Sequence, residues 1–118
     1  MCGIVGIIEP NSGQRGELLR RMCAAIEHRG PDARGTFEDE SAALGMQRLS
    51  IIDVAHGEQP VYNESRTVVA VFNGEIYNFK SLAQDLQHRG HRLASASDSE
   101  VIPHLYEEYG DDLSLIHI

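Results

Sequence analysis

Val68–Phe72, the longest unbroken aliphatic or aromatic stretch in the chain, has no polar face. With Thr67 before it, the stretch is β-branched and aromatic, without the in–out alternation of a strand that has one side in water. It predicts a strand over 67–72 covered on both faces, and so a layered fold rather than a lone open sheet. The stretch is far too short to cross a bilayer as a helix, which takes about 20 apolar residues. Asn73-Gly74 follows at once, a pair that favours positive φ and a tight turn.

The other elements follow from periodicity. Residues 3–9, GIVGIIE, read as a buried strand ended by Pro10, Asn11, Ser12 and Gly13. A helix is predicted over 16–28, with Leu18, Leu19, Met22, Cys23 and Ile26 on one face. Gly30-Pro31 stops it as a left-handed cap followed by a residue that cannot continue a helix. Residues 34–38 and 42–52 read as one meander, with Arg48 inside an apolar stretch. Phe79, Leu82, Ala83 and Leu86 have helical spacing, and Gly90 closes that element. The last helix opens at Ser97 with Glu100 three residues on, a capping-box pattern. It turns Val101, Ile102, Leu105 and Tyr106 inward and ends at Gly110, and Pro103 within it predicts a kink or a late start. Strands in the middle with helices flanking them predict an α+β layered domain.

Composition narrows the function classes. At 118 residues one domain is expected. Ten Lys+Arg against 18 Asp+Glu give a net charge of -8 and a pI near 5.1, which argues against a nucleic-acid module. Hydrophobic residues at 42% and charged residues at 24% argue against disorder. The apolar segment Ile4–Ile8 is short, contains Gly6 and runs into Glu9-Pro10, so it does not read as a secretory signal. Two cysteines are too few for a disulfide scaffold, and a cytoplasmic location without membrane partners is expected. The six histidines show no HxxxH or HxH spacing and the cysteines no CxxC, so no zinc site is expected. No phosphate-binding glycine fingerprint occurs, so no cofactor is expected in this chain.

Cys2 carries the most chemistry. Removal of Met1 would leave a thiol and a free α-amine on one residue. The ordinary pKa of such an amine, about 7.7–8.0, lets it take and return protons near neutrality. A nucleophile activated by its own amine is an established arrangement. Taken alone, Cys2 reads first as a small buried hydrophobe at the start of a strand. Asn73-Gly74 alone reads as a hairpin turn, Arg48 as an exposed strand residue, Glu75 as a solvated turn and Asp98 as an acid at a helix start.

Five segments change the weighting: MCGIVGI at 1–7, HRGPD at 28–32, RLSIID at 48–53, NGEIYN at 73–78 and SDSEVI at 97–102. Together they resemble the N-terminal glutaminase domain of class II glutamine amidotransferases, in particular the glutamine-hydrolysing asparagine synthetase family. The resemblance covers about residues 1–112. It implies an N-terminal-nucleophile (Ntn) hydrolase fold, a four-layer αββα sandwich of which this chain holds the N-terminal part. It also implies hydrolysis of the glutamine side-chain amide through a thioester on Cys2. By the same resemblance Asn73 and Gly74 form the oxyanion hole. Arg48 takes the glutamine α-carboxylate, Glu75 and Asp98 take its α-ammonium, and the backbone of Leu49, Ser50, Ile51 and Ile52 lines the pocket. A planar guanidinium suits a carboxylate because it can bind it bidentately.

The implied partners are glutamine as substrate and a synthetase domain in the same parent chain, with a homodimer as a further expectation. ATP and Mg²⁺ would belong to that synthetase domain, which would make asparagine from aspartate. Two other readings compete: an inactive fragment that at most binds glutamine, and the glutaminase half of an amidotransferase with another acceptor. Residues 113–118, LSLIHI, read as a tail that departs from the family. A chain cut there is expected to be unstable or to associate. Cys23 is expected in the core, His28 at a helix end near the site, and His88, His91 and His104 at the surface or at helix ends. Glu107 and Glu108 are expected on a solvated face, and Arg29 and Asp32 are expected to pair across the Gly30-Pro31 turn.

Overall fold

A computed structural model describes residues 1–9, 13–50 and 57–113. They fall into two compact units, residues 1–9, 13–50, 58–60 and 71–73 in the first and residues 57, 61–70 and 74–113 in the second. The turn expected at Pro10–Ser12, the strand end expected at Ile51 and Ile52, and tail residues 114–118 lie outside the described residues. The architecture is mixed α and β, with both sheets antiparallel.

The first unit is a three-stranded sheet with one helix on it. Strands β1 (Gly3–Ile8), β2 (Ala33–Glu38) and β3 (Ala42–Arg48) are arranged in the order β1-β3-β2. Helix α1 (Arg15–Ala25) buries Leu19 and Cys23 against Ala43, with Val5 and Ile7 packed around them. Cys23 is therefore core, as expected, and burial pushes its thiol pKa up. Side chains alternate along a strand, so Val5 and Ile7 face α1 while Ile4 and Ile8 point away and are 48% and 86% exposed. The segment expected to be a buried strand is thus covered on one face only, because a single helix covers a single face. Leu18 is likewise 41% exposed, off the buried stripe of α1.

The helix expected to reach residue 28 ends at Ala25, and a 3-10 turn, Glu27–Arg29, follows. Gly30 has φ -155°, extended rather than left-handed. Its need for glycine is steric: a Cβ there would lie 2.4 Å from the Gln47 carbonyl oxygen. The missing side chain lets the loop pass against β3, where Pro31 bridges to Arg48. Between β2 and β3, Asp39 Oδ1 accepts the backbone N–H groups of Ser41 and Ala42, both at 2.8 Å. Those two bonds hold the Asp39 carboxyl below its ordinary pKa.

The second unit pairs a short hairpin, β4 (Val61–Tyr62) and β5 (Val69–Ala70), with helices α2 (Phe79–His88) and α3 (Val101–Tyr109). The strand expected over 67–72 contracts to two residues, and Val68–Phe72 is half-buried rather than covered. The cause is local. Asn63 Oδ1 accepts the N–H groups of Thr67 and Val68 at 2.9 Å each, which diverts them from a strand ladder. The core joins Leu86, Val101 and Leu105, with Phe79, Leu82, Ala83 and Leu93 packed against them, as the helical spacing predicts.

Helix α3 starts late. A 3-10 turn, Asp98–Glu100, precedes it, and Pro103 falls in its first turn, where the missing N–H has no intrahelical partner. The capping box does not form. The Glu100 carboxylate instead accepts from the Ala94 N–H at 2.9 Å and the Ser95 hydroxyl at 3.0 Å. Tyr106 turns outward, 43% exposed, and its hydroxyl donates to Asp111. His88 is exposed as expected. His104 is not at the surface: it is fully buried, and the side chain of His91 is only 8% exposed. No helix among the described residues is long and apolar enough to cross a membrane.

Candidate functional site

Sheet register assembles the first part of the site. Gly3 stands opposite Gln47, so the residue before β1 falls beside the residues that end β3. Cys2 Sγ accepts the Leu49 N–H at 3.4 Å and lies 3.8 Å from the Leu49 carbonyl oxygen. The Cys2 carbonyl is held twice, by Arg29 Nε–H at 3.1 Å and by the Asn73 side-chain amide at 3.0 Å. Thiol, Leu49 backbone and Asn73 carboxamide therefore meet within one unit. Cys2 is half-buried, so the thiol is packed but not sealed off.

The HRGPD segment is a bracket around the end of β3. The Asp32 N–H donates to the Arg48 carbonyl at 3.0 Å, and Asp32 Oδ2 accepts the Ser50 N–H at 2.7 Å. Arg29 and Asp32, expected to pair with each other, are thus committed to Cys2 and Ser50 respectively. His28 lies exposed in the 3-10 turn. Arg48 is the last residue of β3 and half-buried, and Leu49 and Ser50 follow it. Ile51 and Ile52 lie outside the described residues.

Gln59 positions Asn73. Its Oε1 accepts the Phe72 N–H at 2.6 Å and its Nε2 donates to the Phe72 carbonyl at 3.0 Å, a two-point clamp on the residue before Asn73. Gly35 makes room for it: a Cβ at Gly35 would lie 1.6 Å from the Gln59 carbonyl oxygen. Sequence reading missed Gln59, because nothing in its neighbourhood announces a clamp on a residue 13 positions away. Arg29 and Asp32 were visible in HRGPD, but not their partners.

The remaining expected residues belong to the second unit. Asp98 Oδ2 accepts the Ile76 N–H at 2.9 Å and Oδ1 accepts the Ser99 N–H at 2.8 Å. Asp98 therefore ties down the segment that carries Glu75, whose side chain is exposed. Gly74 lies in a bend, and neither it nor Asn73 is among the residues with positive φ, so the expected tight turn is absent. Each of the three carboxylate–amide bonds of Asp32 and Asp98 is within ordinary hydrogen-bond length, and each leaves acceptor capacity on the carboxylate.

A thiol at a backbone N–H, with a side-chain carboxamide on the carbonyl of the same residue, brings together group types that acyl transfer uses, where donors must meet charge developing on a carbonyl oxygen. The chain belongs to the glutamine amidotransferase domain family, which matches residues 1–116. Among curated proteins it is similar to an asparagine synthetase [glutamine-hydrolyzing] of Zea mays, 44% identical over 115 residues, and to asparagine synthetase [glutamine-hydrolyzing] 1 of Arabidopsis thaliana, 41% identical over 114. Each match takes in 95% of this chain and 19% of the relative. The asparagine synthetase of Sandersonia aurantiaca is 42% identical over 120 residues, covering all of this chain and 22% of that protein. The chain spans about a fifth of the length of these relatives.

Proposed function

We propose that this chain is the glutamine-hydrolysing part of an asparagine synthetase. It takes the side-chain amide of free glutamine and, with water, yields glutamate and ammonia. The observation that carries the reading is the convergence on Cys2 of the Leu49 N–H and the Asn73 carboxamide, in a chain of the glutamine amidotransferase domain family.

In this reading Met1 is removed and the Cys2 α-amine accepts the thiol proton. Sγ attacks the amide carbon. The oxyanion that forms is met by the Asn73 side-chain N–H not used by the Cys2 carbonyl and by the Gly74 N–H. The C–N bond breaks, the amine returns the proton, and ammonia leaves a γ-glutamyl thioester. Water cleaves the thioester and regenerates Cys2. Arg48 holds the glutamine α-carboxylate, Glu75 and Asp98 hold its α-ammonium, and the backbone of Leu49 and Ser50 lines the pocket. The four-layer αββα arrangement belongs to the same proposal. Its support here is the open face of β1, where Ile4 and Ile8 stand exposed as a surface on which a second sheet packs.

In the parent protein the ammonia passes to a synthetase domain that uses aspartate, ATP and Mg²⁺. The test is chemical. The Met1-processed protein is incubated with glutamine, and the γ-glutamyl adduct is sought on Cys2 by mass spectrometry while glutamate release is followed. An adduct on Cys2 that is absent from Cys2→Ala supports the reading. Glutamate release that persists in Cys2→Ala sinks it.

A further inference from the structure

The second unit holds a cluster of ligand-type side chains that the glutamine chemistry does not use. Glu64 lies in the turn between β4 and β5, His91 just beyond α2, and His104 and Glu107 one turn apart on α3. One ligand atom from each of the four lies within 4.8 Å of all the others. The two histidines meet through Nδ1, 3.3 Å apart. Glu64 Oε1 is 3.4 Å from His104 Nδ1 and 3.5 Å from His91 Nδ1, and Glu107 Oε2 is 3.9 Å from His91 Nδ1. A tetrahedron with metal–ligand bonds of zinc length has edges of about 3.3–3.4 Å. Three of these distances already fall near that value.

The outer edges of the rings point the same way. His91 Nε2 lies 2.7 Å from Glu108 Oε1. Because a carboxylate only accepts, Nε2 is the donor, and in the neutral ring Nδ1 then presents its lone pair to the cluster. His104 Nε2 is fully buried, has no hydrogen-bond partner and faces Glu100 Oε1 at 3.8 Å. His91, its outer ring nitrogen bonded to a carboxylate, is held in the way that metal-binding histidines are oriented. A cation placed here would meet the Nδ1 atoms of both rings, once free of protons, and two carboxylates, where one histidine is wholly enclosed. Both carboxylate oxygens already accept one hydrogen bond, Glu64 Oε1 from the Arg92 N–H and Glu107 Oε2 from the Asn63 side-chain amide at 3.1 Å, and each keeps a second lone pair.

We propose that Glu64, His91, His104 and Glu107 form a structural site for one divalent cation of the zinc type. Nitrogen and oxygen donors in a compact four-fold set select Zn²⁺ over Mg²⁺ or Ca²⁺, which take six or more oxygens. Bound there, the ion would join the β4–β5 turn, the segment after α2 and helix α3. The proposal does not depend on the reaction assigned to Cys2.

The experiment is a titration of the full chain, freed of metal with a chelator, using Zn²⁺ by calorimetry and Co²⁺ by absorption. The expected result is one Zn²⁺ per chain, a higher melting temperature, and cobalt bands of a tetrahedral nitrogen–oxygen site without a thiolate charge-transfer band. Glu107→Gln keeps an oxygen for Asn63 and should weaken Zn²⁺ at least about tenfold, as should His91→Gln. Binding should persist in Cys2→Ala. No saturable Zn²⁺ binding to the unaltered chain, a thiolate band with cobalt, or affinity unchanged in both Glu107→Gln and His91→Gln would each overturn the site. A melting temperature raised equally by Mg²⁺ would overturn its selectivity for zinc-type ions.

Discussion

The Cys2 thiol is packed against Leu49 while its carbonyl is tied to Arg29 and Asn73, so substitution there tests chemistry separately from placement. In a protein that joins this chain to a synthetase domain, Cys2→Ala should abolish glutamine-dependent asparagine formation and spare formation from free ammonia. Paired assays with glutamine and with an ammonium salt check it, and a surviving glutamine-dependent rate counts against Cys2 as nucleophile. Arg48→Lys keeps the charge but not the planar fork that grips a carboxylate at two points. It should raise KM for glutamine by more than about tenfold, as loss of a matched charged contact does. A KM within about twofold of the parent's, a difference of about 0.4 kcal/mol, would remove Arg48 from the substrate pocket. At this scale the sequence was most readable where a motif named the residue. Cys2, Arg48, Asn73 and Asp98 stand out in their segments, whereas Gln59 does not, because its significance lies in a backbone that the chain reaches only after a hairpin.

Elements with a long periodic pattern were legible and those made by side-chain bonds were not. Helices α2 and α3 come out near the residues their spacing marks, with Gly90 and Gly110 just past their ends. Strand β4 went unread because two residues carry no periodicity, and β5 shrank because Asn63 took its first amides. Glu100 matched a capping-box spacing yet bonded the loop before it: spacing fixes which residues are within reach, not which donor wins. The His91–His104 pair was invisible to motif spacing because its members sit on separate segments. Two predictions belong here. Gln59→Leu keeps bulk but removes both bonds to Phe72. It should destabilise the chain by about 1–2 kcal/mol, roughly two net hydrogen bonds, measured by urea unfolding, and should lower kcat for glutamine more than it raises KM. At the β2–β3 turn, the folded-state pKa of Asp39 is depressed by its bonds to Ser41 and Ala42. Its contribution is therefore present above the unfolded-state value and disappears as pH falls through the lower folded-state value. Amide-exchange protection of Ser41 and Ala42 should decline over that acid range, and should be pH-independent there in Asp39→Asn.

For the whole molecule, net charge and uncovered surface oppose each other. The chain carries -8 at neutral pH, which keeps copies apart at low salt. The outer face of β1 offers Ile4 and Ile8 to solvent. Screening the charge should therefore favour association through that face, and Ile8→Lys should suppress it. Sedimentation velocity across a salt series checks both statements, and association insensitive to Ile8→Lys would place the sticky surface elsewhere. The mixed α and β class was readable from element order. How many faces of each strand are covered was not, since an apolar residue in a strand looks the same in sequence whether a layer lies over it or not.

The double hold on the Cys2 carbonyl has a consequence for exchangeability. Both bonds grip the main chain and ignore the side chain, so the socket accepts any residue that fits the space beside Leu49. Serine or alanine at position 2 would ride in the same cradle, and exchange protection along β1 should match that of the unaltered chain. The side chain at position 2 is in this sense a replaceable tip on a fixed mount, and the proposed nucleophile could be exchanged here without rebuilding the platform that carries it.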